Sequence, residues 1–553
     1  MHQMQSLKRS SFAVLTIVLA VIPACGQTRR PMTFEDLMKM RRLGDIDLSR
    51  DGKWVLFSAT DVDLEKNTKT SHLWIVPAAG GPQETREVAL TASLAGESRG
   101  RFSPDGKQIL FLSPRDEGQQ IYLADFDAAT GKIGEAHKLT SISTEADGAT
   151  WSPDGQNILF TSSVYPDCAT TPDPDACNKT RDEEQAASKV KAKIFTTLLY
   201  RHWNAFVGDK RSHLFLVPSA GGTPRDLNPG DTHDVPPFSL GGPDAYAFAP
   251  DSKEIAFEEN LDPVPAISTH VDIFTLRLDD PNAKPIKITT SLGGNFSPAY
   301  SPDGKYIAFR SQARAGYESD KFRLMTYDRQ SKQLQDLLPK FDRWIDEFAW
   351  VPDSHQLYFV SGISGEAPIF RASLDGSELA ELVACFANCK AAPAGEFGDL
   401  HVSSDGKLLF AAQMLASRPS DIVELEISRK SQLTPEQITQ LAARMKSSTI
   451  EESRRQPSNS AEFRPAVIDG KRLTHLNDLI LSSLDLREAE PFWFTSVGQV
   501  KVQGFLIKPP TSTPTRNTPS NSSSTEAHKA HGETRGAIAG TPNSSPPTAT
   551  LSS

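Results

Sequence analysis

Tyr300-Ser301-Pro302-Asp303-Gly304-Lys305-Tyr306-Ile307-Ala308-Phe309 holds the phrase that decides the fold. Two strand-like segments flank Ser-Pro-Asp-Gly, a set of residues that makes a tight turn. Pro presets φ, Asp bonds its own backbone, and Gly supplies a positive φ. The phrase occurs seven times, around Asp51, Asp105, Asp154, Asp251, Asp303, Asp353 and Asp405. Three residues before each Asp stands an apolar residue: Leu48, Phe102, Trp151, Phe248, Tyr300, Trp350 or Val402. Six residues after it comes Phe57, Phe111, Phe160, Phe257, Phe309 or Phe359, while Phe410 comes at five. Turn formation accounts for the aspartates, and the aromatic positions belong to a core.

A further strand-like run follows each copy: Leu73–Val76, Ile121–Leu123, Leu214–Val217, Ile273–Leu276, Leu324–Tyr327, Ile369–Ala372 and Ile422–Leu425. The aspartates are spaced by 54, 49, 97, 52, 50 and 52 residues. A period near fifty with several strands per unit is that of a propeller blade, and seven such units can close a ring. The expected fold is therefore all-β: a seven-bladed β-propeller with WD40-like or TolB-like Asp-Gly repeats over residues 32–427. The 97-residue gap marks an insertion over about 162–210, helical in composition from Arg181 to Lys193. Insertions of this kind project from one face of a ring, where binding occurs. Thr33 and Asp36 stand at capping-box spacing, predicting a short helix from Thr33 to Arg42. A second insertion, 428–471, reads as partly helical or disordered. Residues 472–510 end the propeller and open something further. Of the 43 residues after Pro510, 23 are Ser, Thr or Pro and none is aromatic, so 511–553 reads as a disordered tail.

The formal net charge of -10 argues against a nucleic-acid partner. Lys8 and Arg9 precede an apolar run from Phe12 to Ile22 and then Pro23-Ala24-Cys25-Gly26, the pattern of an export signal over 1–26. Two cleavages are open: after Gly26, releasing a soluble protein, or before Cys25 in an imperfect lipobox. Lipidation of Cys25 is the only membrane contact expected, and the location is periplasmic or extracellular. In an oxidising compartment, Cys168 with Cys177 and Cys385 with Cys389 read as local disulfides, although four cysteines allow three connectivities. Cys385-x3-Cys389 has no second pair nearby, so no metal and no cofactor are expected.

Three further stretches carry a resemblance. They are Leu199-Tyr-Arg-His-Trp-Asn204 with Gly208 to Phe215, Leu473 to Leu486, and Phe492-Trp-Phe-Thr with Val500 to Pro510. Together they resemble the bacterial dipeptidyl-peptidase and acylaminoacyl-peptidase branch of the prolyl oligopeptidase family. The resemblance covers roughly 32–510. It implies a propeller that filters peptide access to an α/β-hydrolase domain with a Ser-His-Asp triad, and 492–510 is similar to the strand opening that domain. The nucleophile of such a domain sits in a Gly-x-Ser-x-Gly elbow, and neither that elbow nor a His-Gly-Gly segment occurs here. No catalytic residue is therefore assigned, and the hydrolase domain is expected to be separately encoded or lost to a frameshift, gene split or truncation.

Candidate substrate-binding residues are Arg201, His202 and Trp203, where Arg can pair a substrate carboxylate or carbonyl. Against this stands an Arg stacked on Trp that only stabilises the insertion. Glu183 and Glu184 resemble the paired glutamates with which dipeptidyl peptidases hold an α-amino group. Against them stand the ~100° between neighbours on a helix and the ordinary solvation of charged faces. The competing function is a stand-alone periplasmic propeller binding peptides or protein partners.

Overall fold

The computed structural model describes residues 29–78, 86–116, 118–196, 198, 200–202, 205–237, 245–386, 395–430, 466–510 and 521–523. Each Asp-Gly turn joins an inner strand to an antiparallel second strand. The inner strands are Arg42–Leu48, Ser98–Phe102, Asp147–Trp151, Tyr246–Phe248, Asn295–Tyr300, Glu347–Trp350 and Glu396–Val402. Every third apolar run forms the third strand, and a short outer strand completes most units. Among the described residues this gives seven four-stranded meanders in chain order, the second with its outer strand split in two. The last two are also joined edge to edge, because Leu379–Phe386 pairs in parallel with Ala466–Arg472.

The turns obey their chemistry. In all seven, the Asp Oδ1 accepts from the backbone N–H two residues on, at 2.8–3.1 Å. In five it also accepts from the Ser hydroxyl two residues before, at 2.6–2.8 Å. Gly52, Gly106, Gly155, Gly304 and Gly406 hold φ between 69° and 72°. Where Gly is replaced, Ser252 and Ser354 adopt φ 61°. Their hydroxyls accept from Asp154 N and Asp303 N of the preceding turn, each at 3.0 Å.

The seven Phe side chains after the turns are 0–1 % exposed and lie in the sheets' packed faces. Each such burial is worth roughly 1.5–3 kcal/mol. The apolar clusters run between sheets: one joins Leu159 and Leu214 to Tyr246 and Phe257, another Ala308 and Leu324 to Leu357 and Phe359. The turns touch in cyclic order as well. Arg50 donates to Pro104 O at 2.9 Å, Gly155 lies beside Pro104, Asp154 meets Ser252, and Gly304 lies beside Pro250. Asp303 then meets Ser354, Gly406 lies beside Pro352, and Ser404 Oγ donates to Arg50 O at 3.0 Å. Seven seams accept seven turns, so the ring closes.

The closing seam shares no strand. The first sheet comes wholly from residues 42–89 and the last from 396–472. They are held by a cluster of Ile46, Val55 and Phe57 with Phe410, Ile422 and Leu473. Beyond it, Asn477 exchanges two hydrogen bonds with the Arg41 backbone, at 2.8 and 3.0 Å. Arg30 likewise pairs with Ser483 and Asp485, at 3.0 and 2.7 Å. The predicted capping box is present in α1 (Phe34–Lys39). That helix stops before Arg42 because Arg42 already belongs to the first inner strand.

Three expected boundaries shift. The propeller does not stop at 427: Arg418–Lys430 runs past it, and Ala466–Arg472, expected inside the second insertion, is the outer strand of the last sheet. The low apolar content of Asp469-Gly470-Lys471-Arg472 hid this strand, which is held by ladder pairing on both sides, to Leu379–Phe386 and to Arg418–Lys430. The helix of the first insertion, α2 (Pro174–Ala187), begins and ends earlier than Arg181 to Lys193. Asp173 caps it through Ala176 N at 3.0 Å, with Pro174 at its first position, a start signal that composition alone missed. In the tail, Asn521–Ser523 pairs with Phe505–Ile507, whose free edge offers unpaired backbone groups. The rest of 511–553, the 1–26 signal and residues 431–465 lie outside the described residues.

Candidate functional site

Because each Asp-Gly turn joins inner to second strand, all seven turns share one face of the ring. The connections from second to third strand must then lie on the opposite face, which carries the insertion between Val164 and Arg211. The insertion is the connection of the third blade. Its root is rigid. Cys168 and Cys177 form the expected disulfide, tying the turn Pro166–Thr170 to α2. Asn178 is buried, accepting from Tyr165 N at 2.7 Å and donating to Pro174 O at 2.8 Å. Asp182 accepts from Tyr165 Oη at 3.1 Å and from Lys210 Nζ at 2.6 Å, and Arg181 lies over the Tyr165 ring and pairs with Asp167.

Glu183 and Glu184 follow on α2 and both are exposed. Arg201 is exposed in a two-stranded ribbon, Arg201–His202 with Ala205–Phe206. Among the described residues, no ion pair or hydrogen bond joins Arg201 to either glutamate. The His202 side chain and Trp203 lie outside the described residues, as does Cys389. Cys385 contributes its backbone to the parallel pair with Asp469. The ribbon's base instead gathers Phe195, Tyr200 and Phe206, with ring centroids 5.5 and 5.7 Å from Phe195.

The hairpin Glu490–Thr495 and Lys501–Ile507 lies on this face too. Phe505 packs on Gly365 so closely that a Cβ there would sit 2.1 Å from the ring, and Gln503 Nε2 donates to Ser364 O at 3.0 Å. Both partners belong to the second-to-third connection of the sixth blade. Phe492 and Phe494, 6.2 Å apart on one face of the hairpin, and Trp493 on the other remain 37–46 % exposed.

Sequence reading missed a set of acids around the ring's axis. Four seams are stitched by a carboxylate accepting from a backbone N–H of the next inner strand. Asp47 takes Phe102 N at 2.7 Å, Glu258 takes Ser297 N at 2.6 Å, and Asp399 takes Ile46 N at 3.2 Å. Glu347 takes both Asp399 N and Leu400 N, at 2.8 and 2.6 Å. Burial pushes the Glu258 carboxyl up to about 8, with the Ser297 N–H and nearby Arg310 opposing the shift. A crevice of about 430 Å³ between Pro352, Tyr358, Arg371 and Asp405 opens on the turn face and touches none of these groups.

Dipeptidyl-peptidase 5 of Porphyromonas gingivalis is 27 % identical over 369 residues, covering 66 % of this chain and 51 % of that protein. The Porphyromonas endodontalis dipeptidyl-peptidase 5 is 25 % identical over 443 residues, covering 76 % and 59 %. The chain resembles the propeller part of prolyl-oligopeptidase-family peptidases. It spans about half the length of the curated relatives it matches. Among solved structures, an acylaminoacyl peptidase bound to Z-Gly-Gly-Phe-chloromethyl ketone superposes with a TM-score of 0.58 at 15 % identity, covering 86 % of this chain and 58 % of that one. The Pyrococcus horikoshii acylaminoacyl peptidase gives 0.55 at 16 %, covering 86 % and 58 %. At these identities the structural likeness speaks for the fold. No protein-family model matches the chain. Among the described residues this propeller thus repeats its seven turns on one face and holds the disulfide-clamped insertion and the aromatic hairpin on the other.

Proposed function

We propose that this propeller is the access and docking module of an exported serine peptidase of dipeptidyl- or acylaminoacyl-peptidase type. The observation that carries the reading is the shared face: the charged insertion and the exposed aromatic hairpin lie together on a propeller related to dipeptidyl-peptidase 5. An α/β-hydrolase domain seated there would cover Phe492, Trp493 and Phe494. It would supply the activated serine and oxyanion donors on which acyl transfer depends. In that assembly Glu183 and Glu184 face the ammonium of a peptide N-terminus, and Arg201 a carbonyl or carboxylate, so the propeller selects and positions while the hydrolase performs the bond change. The Cys168–Cys177 disulfide supports export to an oxidising compartment.

Two measurements test this. The purified chain alone should neither react with a fluorophosphonate probe nor hydrolyse dipeptidyl or acylaminoacyl chromogenic substrates. DNA beyond the codon for Pro510, read in all frames, should encode a His-Gly-Gly and a Gly-x-Ser-x-Gly segment. A labelled serine in this chain, or no such segment in any frame, overturns the assignment and favours a stand-alone peptide-binding propeller.

A further inference from the structure

The seam between the third and fourth blades holds a second group of side chains, on the same face as the insertion. Arg225–Asp226 is the outer strand of the third blade, and the loop after it brings Asp231 and His233 over the end of Glu254–Glu259. Sequence order separates His233 from Glu259 by 26 residues, so spacing gave no hint of the cluster. One ligand atom from each of Asp231, His233 and Glu259 lies within 4.8 Å of the other two. Asp231 and His233 are partly open to solvent, giving an entry path, while Glu259 is 4 % exposed.

Glu259 is the unusual member. Its Oε1 is buried and has no hydrogen-bond partner among the described residues. No Lys or Arg pairs with it there; burial and the adjacent Asp231 carboxylate, hydrogen-bonded to it, hold the Glu259 carboxyl towards its protonated form. The adjoining Asp272 is already satisfied, taking Thr289 Oγ1 at 2.7 Å, His270 Nε2 at 3.2 Å and Lys287 Nζ at 3.3 Å. A cation bridging Asp231 and Glu259 would take the place of the Glu259 proton and let both carboxylates ionise, leaving the otherwise unpartnered Glu259 Oε1 a ligand position. The surroundings also resemble an outer shell that orients ligands. His213 is fully buried, bonded to Asp226 Oδ2 at 2.8 Å and to the Asp231 carbonyl at 3.0 Å, which fixes the loop.

We infer that Asp231, His233 and Glu259 bind a divalent transition-metal cation of the Zn²⁺ or Mn²⁺ class. One imidazole with two carboxylates matches the donor preference of such ions, whereas Ca²⁺ and Mg²⁺ take all-oxygen sets. A bound ion would pin the loop at 227–237 and, through Arg211 Nε on Thr232 O at 3.0 Å, the base of the insertion. The inference stands whether or not the propeller serves a hydrolase.

The test is titration of the chelator-stripped full chain with ZnCl₂ by calorimetry and with MnCl₂ by electron paramagnetic resonance. One saturable site per chain is expected for at least one ion, weakened at least tenfold in both Glu259→Gln and His233→Ala and unchanged in the remote His137→Ala. Should Glu259→Gln fail to fold, His233→Ala decides, since its side chain sits in a solvent-facing loop. Binding should also slow hydrogen exchange at least tenfold in 228–235 relative to the remaining blades. Absence of saturable binding for both ions, equal affinity in His233→Ala, or exchange unchanged in 228–235 overturns the site.

Discussion

The two faces of the ring are built by opposite rules. On the turn face one phrase is repeated with the same hydrogen bonds, and each copy leans on the next until the ring closes. On the other face no two connections are alike. Among the described residues that face carries a disulfide-clamped helix, an aromatic hairpin and the Asp231–His233–Glu259 cluster. Repetition there would add nothing to closure, which the turns and inter-sheet clusters already secure. The irregular face is therefore free to bind.

If that division holds, substitutions should separate by face. Phe309→Ala, in the packed core after a turn, should cost about 3–5 kcal/mol. Phe494→Ala, half-exposed on the hairpin, should stay within about 0.5 kcal/mol. Urea denaturation of the two variants measures the contrast, and equal losses would erase it.

A smaller effect follows from the seam acids. The Glu258 carboxyl is raised to about 8, far above its value in the unfolded chain. Between the two values the folded state keeps a proton that the unfolded state loses, so stability falls as pH rises from about 4.5 towards 8 and then levels. The slope contributed is at most about 1.4 kcal/mol per pH unit. Glu258→Gln can still accept from Ser297 N and should flatten the fall. A wild-type curve that rises over that range, or an unchanged curve in the variant, would refute this placement.

The smallest effect tests the turns. Gly304→Ala puts a side chain at φ 71° and should cost about 1 kcal/mol, with the ring intact. Ser252 already holds a positive φ, so Ser252→Gly relieves strain while losing the bond from Asp154 N, and the two nearly cancel. Thermal denaturation of both distinguishes a turn that is merely local from one that also joins blades.

The turn face was readable because its determinants are local: Asp, Gly and the following Phe lie within ten residues of one another, and each side chain acts on its own neighbourhood. The disulfide of Cys168 with Cys177 was readable for the same reason. Asp47, Glu258, Glu347 and Asp399 were not, since each acts on a backbone amide of another blade. Nor was the meeting of His233 with Glu259, which depends on how a loop from one blade folds over the strand end of the next. Arg201, Glu183 and Glu184 were correctly placed on the insertion by their position in the long gap. No contact among the described residues converges them, because the geometry of the ribbon around Arg201 is set by the aromatic packing of Phe195, Tyr200 and Phe206.

The contrast between faces can be measured in one experiment, hydrogen exchange on the purified chain. The second strand Tyr306–Ser311 should exchange slowly, and the hairpin Glu490–Ile507, which meets the sixth blade through Phe505 and Gln503, should exchange faster by several orders of magnitude. Protection of the hairpin equal to that strand would mean that its aromatic residues are part of the folded core and await no partner.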